Sequence, residues 1–131
     1  MPKRVTTTSA SGYVSTSTIR EFSVEIDATG ESAPDTLESL LATYASCYVP
    51  ALRVGGEQRG TGDLGEVTFE VTGELNDDDK LEAIHFDITT AASLDRDSAT
   101  AVIERANALC KVHDALKESV RASITVDGHA M

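Results

Sequence analysis

The chain has 131 residues, enough for one ordinary domain and little more. Hydrophobic residues make up 40% of it, so a packed core is possible, while 11 Lys and Arg against 22 Asp and Glu leave a formal charge of −11. That balance excludes a phosphate-backbone binder, which needs a basic footprint, and an anionic membrane surface would repel the chain.

Residues 1–12 are polar and rich in Ser and Thr, and read as a flexible segment ahead of a single domain over 13–131. Thr16, Thr18, Arg20, Phe22, Val24 and Ile26 then fall on one parity, with Glu21, Ser23 and Glu25 on the other. This alternation predicts a half-buried strand over 19–27, paired with 13–18. Arg20 shares its apolar face. A guanidinium there is costly unless it meets an anion, such as a thiolate with a carboxylate nearby, or snorkels out from the edge.

Residues 28–34 read as a loop, and Pro34 with Asp35 can start a helix. Leu37, Leu40, Leu41, Tyr44, Ala45, Tyr48 and Leu52 recur at helical spacing, so the helix runs from about 35 into the low fifties. Pro50 lies inside that pattern and predicts a kink; Gly55 and Gly56 predict its loosening or end. Val67, Phe69, Val71 and Leu75 alternate with polar residues, and so do Ile84, Phe86 and Ile88. With a turn at Asn76 to Lys80, these segments predict an antiparallel hairpin.

Asp95 or Asp97 can cap a second helix carrying Val102, Ile103, Ala106, Leu109 and Cys110 on one stripe. A short helix follows from Val112 to about Lys117, then a last strand with Val120, Ala122, Ile124 and Val126 facing inward. No internal repeat or linker interrupts this α+β pattern.

The acids are scattered along the chain, apart from the run Asp77 to Asp79, and there are four lysines to seven arginines. Evenly spread acid with few lysines points to adaptation to high internal salt, where screening removes self-repulsion. No stretch reaches the ~20 apolar residues that span a bilayer, and the start has no apolar signal-peptide core, so a cytoplasmic location is expected. Two cysteines 63 positions apart make no disulfide scaffold.

Three chemistries compete for the remaining residues. A metal site from Cys47, Cys110, His113 and His85 has one close pairing where structural zinc sites show two, so no metal or other bound cofactor is expected. Nucleophilic hydrolysis finds no Gly-x-Ser-x-Gly elbow, and phosphate chemistry finds no Gly-x-x-x-x-Gly-Lys loop. Thiol redox chemistry is left, beside the bland reading of both cysteines as small buried apolar residues. Cys110 stands at a helix start, where backbone N–H donors favour thiolate, and Lys111 and His113 can add to that effect.

The segment Glu38-Ser-Leu-Leu-Ala-Thr-Tyr-Ala-Ser-Cys47-Tyr resembles the OsmC/Ohr family signature of a Glu-Leu-Leu run, small residues and a Cys entering a long helix. Cys110-Lys-Val-His-Asp-Ala-Leu116 resembles that family's Cys-Pro-Val-x-x-x-Leu, with Lys111 in place of the Pro. The cysteine separation, the hairpin between and the final strand match as well, so the resemblance covers about residues 19–127.

The resemblance implies an α+β OsmC-like fold, with antiparallel sheets wrapped around two central helices in an intertwined homodimer. It implies a thiol peroxidase acting on organic hydroperoxides and re-reduced by an external dithiol such as a dihydrolipoyl group. Cys47 would be the peroxidatic cysteine and Cys110 the resolving one, with Arg20 as the arginine that holds the thiolate and Glu38 as the carboxylate that holds the arginine. The family's acid often lies ten residues before the Cys, where this chain has Leu37; Glu38 is nine before. At about 100° per residue, nine steps turn 180° and aim Glu38 away from Cys47 on a straight helix. A distorted first turn, Glu31 or Asp35 in its place, or loss of the Arg–Glu pair are the readings left open. The alternative function is a non-catalytic dimer of the same type that binds a small apolar ligand in its interface cavity.

Overall fold

The computed structural model describes all 131 residues. The chain forms two compact units, residues 1–40 and 41–131. In the first, β1 (Thr6–Thr8), β2 (Val14–Ile19) and β3 (Phe22–Asp27) make an antiparallel sheet in that order. β1 lies within the segment read from sequence as flexible, and its threonines pair with Thr16 to Thr18 of β2.

Strands β2 and β3 are joined by the two residues Arg20 and Glu21, with Ile19 opposite Phe22. Arg20 therefore occupies a hairpin tip, with φ +55°, rather than the apolar strand face expected from its parity. A two-residue turn keeps the count of two, so alternation by itself cannot separate strand from turn. The apolar face of β3 is open in the single chain, with Phe22 54% and Val24 44% exposed. Asp27 closes β3 and organises the loop behind it. Its carboxylate accepts from the N–H and hydroxyl of both Thr29 (2.9 and 2.7 Å) and Ser32 (3.0 and 2.9 Å).

Helix α1 (Thr36–Gln58) starts in a reciprocal cap: Glu38 N–H donates to Asp35 Oδ1 at 2.8 Å, and Asp35 N–H donates to Glu38 Oε1 at 2.9 Å. It runs through Pro50 and past the expected end, because Gly55 and Gly56 are close-approach positions and not breakers. A Cβ on Gly55 would sit 2.9 Å from the carbonyl oxygen of Val102, and one on Gly56 2.9 Å from Thr61 Oγ1. The helix stops at Gly60 (φ +78°), where Thr61 N–H donates to Gly56 O and Gly60 N–H to Glu57 O, a Schellman closure.

The second unit holds β4 (Val67–Leu75), β5 (Leu81–Thr90), α2 (Arg96–Leu109), α3 (Lys111–Ala115), a 3-10 turn at Glu118–Val120, β6 (Ser123–Val126) and β7 (His129–Ala130). The sheet order is β4-β5-β6-β7. β4 and β5 form the expected hairpin, Phe69 facing Ile88 and Val71 facing Phe86. One pairing departs from the all-antiparallel expectation: β5 and β6 are parallel, because the chain crosses over through α2 and α3 before returning to the sheet. Asp95 caps α2, accepting from Ser98 N–H at 2.8 Å.

The core lies in this unit. Tyr44, Tyr48 and Leu52 of α1 pack with Phe86 and Ile88 of β5, Val102 and Ala106 of α2, and Ile124 and Val126 of β6. Tyr44, Tyr48, Phe69 and Phe86 meet edge to face, with ring centroids 4.6 to 6.0 Å apart.

Candidate active site

Both cysteines belong to the second unit, and the packing of α1 against the α2–α3 corner brings their sulfurs together as free thiols. Cys47 lies on α1 three residues beyond Tyr44, half-buried at the edge of the core. Cys110 is 1% exposed and is the hinge residue between two helices. Its N–H closes α2 on Ala106 O, its backbone turns extended (φ −73°, ψ +113°), and its sulfur accepts the His113 N–H of α3 at 3.5 Å.

The two thiols are driven in opposite directions. Burial pushes the Cys47 thiol up, but several groups outweigh it and leave Cys47 below the ordinary thiol value. These are the Val112 N–H, the Cys110 thiol, the Lys111 N–H and the Lys111 ammonium. The two N–H groups face the sulfur outside strict hydrogen-bond geometry, close enough to favour negative charge. Burial raises Cys110 instead; the His113 N–H opposes this, and the neighbouring Cys47 sulfur adds to it. The helix-start effect read from sequence onto Cys110 thus reaches Cys47 as well, through the Val112 and Lys111 N–H groups of α3.

Beside Cys47 lies a pocket of about 260 Å³ lined by Cys47, Pro50, Ala51, Val54, Leu109 and Lys111. Its wall is apolar apart from the thiol and the lysine. Pro50 is part of this wall.

Behind the sulfurs, Tyr44 Oη accepts the Ala122 N–H at 3.0 Å and lies 2.6 Å from His113 Nδ1. The hydroxyl and the ring nitrogen thus share one proton between them, with the donor set by the imidazole tautomer. Burial, followed by the nearby Arg121 charge, lowers His113 and keeps it neutral at pH 7. Arg121 donates to the carbonyls of His113, Leu116 and Asp114 and so closes the far end of α3.

The structure therefore joins Cys47, Cys110, Lys111 and the α3 amides. It places Arg20 at its hairpin tip, with the guanidinium 5.3 Å over the Phe22 ring, and it engages Glu38 in the cap of α1. His85, weighed as a metal ligand, hydrogen-bonds Ser123 and Thr125 across β5 and β6. Sequence reasoning missed the Tyr44–His113 pair, since Tyr44 reads only as part of an apolar stripe.

The fold and the sulfur pair define an α+β protein built around two facing thiols. The family description "OsmC-like protein" matches residues 17–125, and the chain belongs to that family. An uncharacterised protein of Haloferax volcanii is 42% identical over 127 residues, covering 97% of this chain and 96% of its own. Among solved structures, an OsmC-like protein from Mycoplasma pneumoniae superposes with a TM-score of 0.75 at 17% identity, over 96% of this chain and 94% of the other. The organic hydroperoxide resistance protein OhrB of Bacillus subtilis superposes at 0.71 with 18% identity, over 96% and 98%.

Proposed function

We propose that the chain is a thiol-dependent peroxidase that reduces organic hydroperoxides through Cys47, with Cys110 as the resolving thiol. The observation that carries this reading is the placement of Cys47 in the wall of an apolar pocket with the buried Cys110 thiol beside it. The opposed directions in which their surroundings drive the two thiols support it. A thiol lowered toward thiolate is a nucleophile, and a neighbour kept protonated can wait to resolve the oxidised product. The likeness to an organic hydroperoxide resistance protein supports the same class.

The Cys47 thiolate attacks the terminal oxygen of R–O–O–H. The O–O bond breaks, the alkoxide leaves and takes up a proton as R–OH, and Cys47 becomes a sulfenic acid. The Cys110 sulfur then attacks the Cys47 sulfur. Hydroxide leaves with the Cys110 proton as water, and a disulfide forms. An external dithiol, such as a dihydrolipoyl group, reduces this disulfide by two exchange steps and is itself oxidised to a disulfide. The apolar wall of Pro50, Ala51, Val54 and Leu109 suits an alkyl or aryl hydroperoxide better than hydrogen peroxide.

In this reading the protein is a cytoplasmic homodimer of a salt-adapted cell. Exposed Phe22 and Val24 on β3, with Tyr13 in the turn before β2, offer a second copy apolar surface to cover. The scattered acids and the relative in Haloferax volcanii support the salt adaptation.

The test is consumption of cumene hydroperoxide with dihydrolipoamide or dithiothreitol. Wild type consumes it, and Cys47→Ser abolishes turnover. Stoichiometric hydroperoxide converts the wild-type thiols into one disulfide within a subunit. Retention of both free thiols with no turnover would instead identify a binding protein and overturn the proposal.

A further inference from the structure

We infer that Lys111 is the positive charge that serves Cys47, acting on the reacting sulfur through both its ammonium and its backbone N–H from the rim of the pocket. The inference rests on the reading of Cys47 as the reactive thiol and names the one cation that faces it.

The placement carries the argument. Lys111 is the first residue of α3, and the extended backbone of Cys110 turns its N–H toward Cys47 while its side chain lines the same pocket as the sulfur. Lys111 is the titratable group that shares the pocket wall with Cys47, and Cys110 neighbours the sulfur from behind it; Pro50, Ala51, Val54 and Leu109 complete the wall without charge. Three arginines of this unit are held elsewhere: Arg53 on Gly65 O and Asp63, Arg105 on Gln58, Arg121 on the carbonyls of α3; Arg59 and Arg96 are not among the residues of the pocket wall. A proline at 111 would supply neither an N–H nor a cation. A lysine supplies both, next to Cys110 in sequence and beside Cys47 in the pocket wall.

The two contributions respond differently to salt. The ammonium is exposed, so its field is screened by dissolved ions. The amides are fixed dipoles at contact range and are screened far less. A chain working in strong salt would keep the amide share when the lysine share fades.

Lys111→Met removes the charge alone, Lys111→Arg keeps it, and Lys111→Pro removes charge and N–H together. The backbone accepts the proline, because a helix tolerates it at its first position and Cys110 already has the extended geometry of a residue before proline. The readout is the pH dependence of iodoacetamide labelling at Cys47, resolved by peptide mass, with folding of each variant checked by circular dichroism. At 0.1 M KCl the midpoint stays at the wild-type value in Lys111→Arg. It rises by roughly half a pH unit or more in Lys111→Met and further in Lys111→Pro. At 2 M KCl the gap between wild type and Lys111→Met closes, while the gap between Lys111→Met and Lys111→Pro persists.

Superimposed profiles for wild type and Lys111→Met at low salt overturn the inference, and so does Lys111→Arg behaving like Lys111→Met. Should Lys111→Pro fail to fold, that first comparison still decides. Labelling needs no peroxide turnover, so a loss of the peroxidase reading and a loss of the lysine assignment give separate results.

Discussion

The Tyr44 hydroxyl does two jobs, and both become visible when it is removed. It accepts the Ala122 N–H and reaches His113 Nδ1 in a part-buried site, so Tyr44→Phe leaves the Ala122 N–H and His113 Nδ1 without this partner. The ring still fills its place against Phe86, so little apolar packing is lost. An unsatisfied buried polar group costs about 1–3 kcal/mol, and a urea midpoint lowered by that loss divided by an unchanged slope is the expected outcome. A midpoint equal to wild type would show that water replaces the hydroxyl at both partners. Tyr44 also shows what is hidden at this scale. Its place in the apolar stripe is readable from spacing, yet its hydrogen-bond partners come from positions 69 and 78 residues away.

Elements differ in how far their own residues define them. The β4–β5 hairpin, the Asp95 cap of α2 and the stripe of α1 are local patterns, and each is found where its pattern lies. The β2–β3 hairpin is displaced because alternation continues through a two-residue turn, which moves Arg20 to the tip. Asp27 marks the end of β3 and tests the loop that follows. The Thr29 hydroxyl first, then the Ser32 and Thr29 N–H groups, hold its carboxyl well below the usual carboxylate range. A carboxyl depressed on folding stabilises the protein above its unfolded value near pH 4, and that contribution is lost as pH falls through and below it. Asp27→Asn is therefore less stable than wild type at pH 6 and loses less stability on acidification. The two melting temperatures converge toward pH 2 to 3; parallel curves across that range would show that the loop does not depend on the ionised carboxylate.

The whole molecule carries a formal charge of −11, and most of its acids are spread rather than clustered. Repulsion among them is long-ranged in dilute buffer, with a screening length of about 10 Å at 0.1 M salt, and is nearly gone at about 3 Å in 1 M. The melting temperature is accordingly expected to rise from 0.05 to 2 M KCl, and the proposed dimer to loosen at the low end, as read by sedimentation. Equal melting temperatures at both ends would remove the salt-adaptation reading. Charge, most element types, the paired cysteine signatures and family membership were legible in the linear order of residues, because each rests on composition or on local patterns; β1 and the 3-10 turn that holds Val120 were not. Which thiol is lowered was not legible, nor was the parallel return of β6, the close approach at Gly55 or the pairing of Tyr44 with His113. Those depend on groups far apart in the chain, whose contact distances and burial exist only once α1, α2 and α3 have packed.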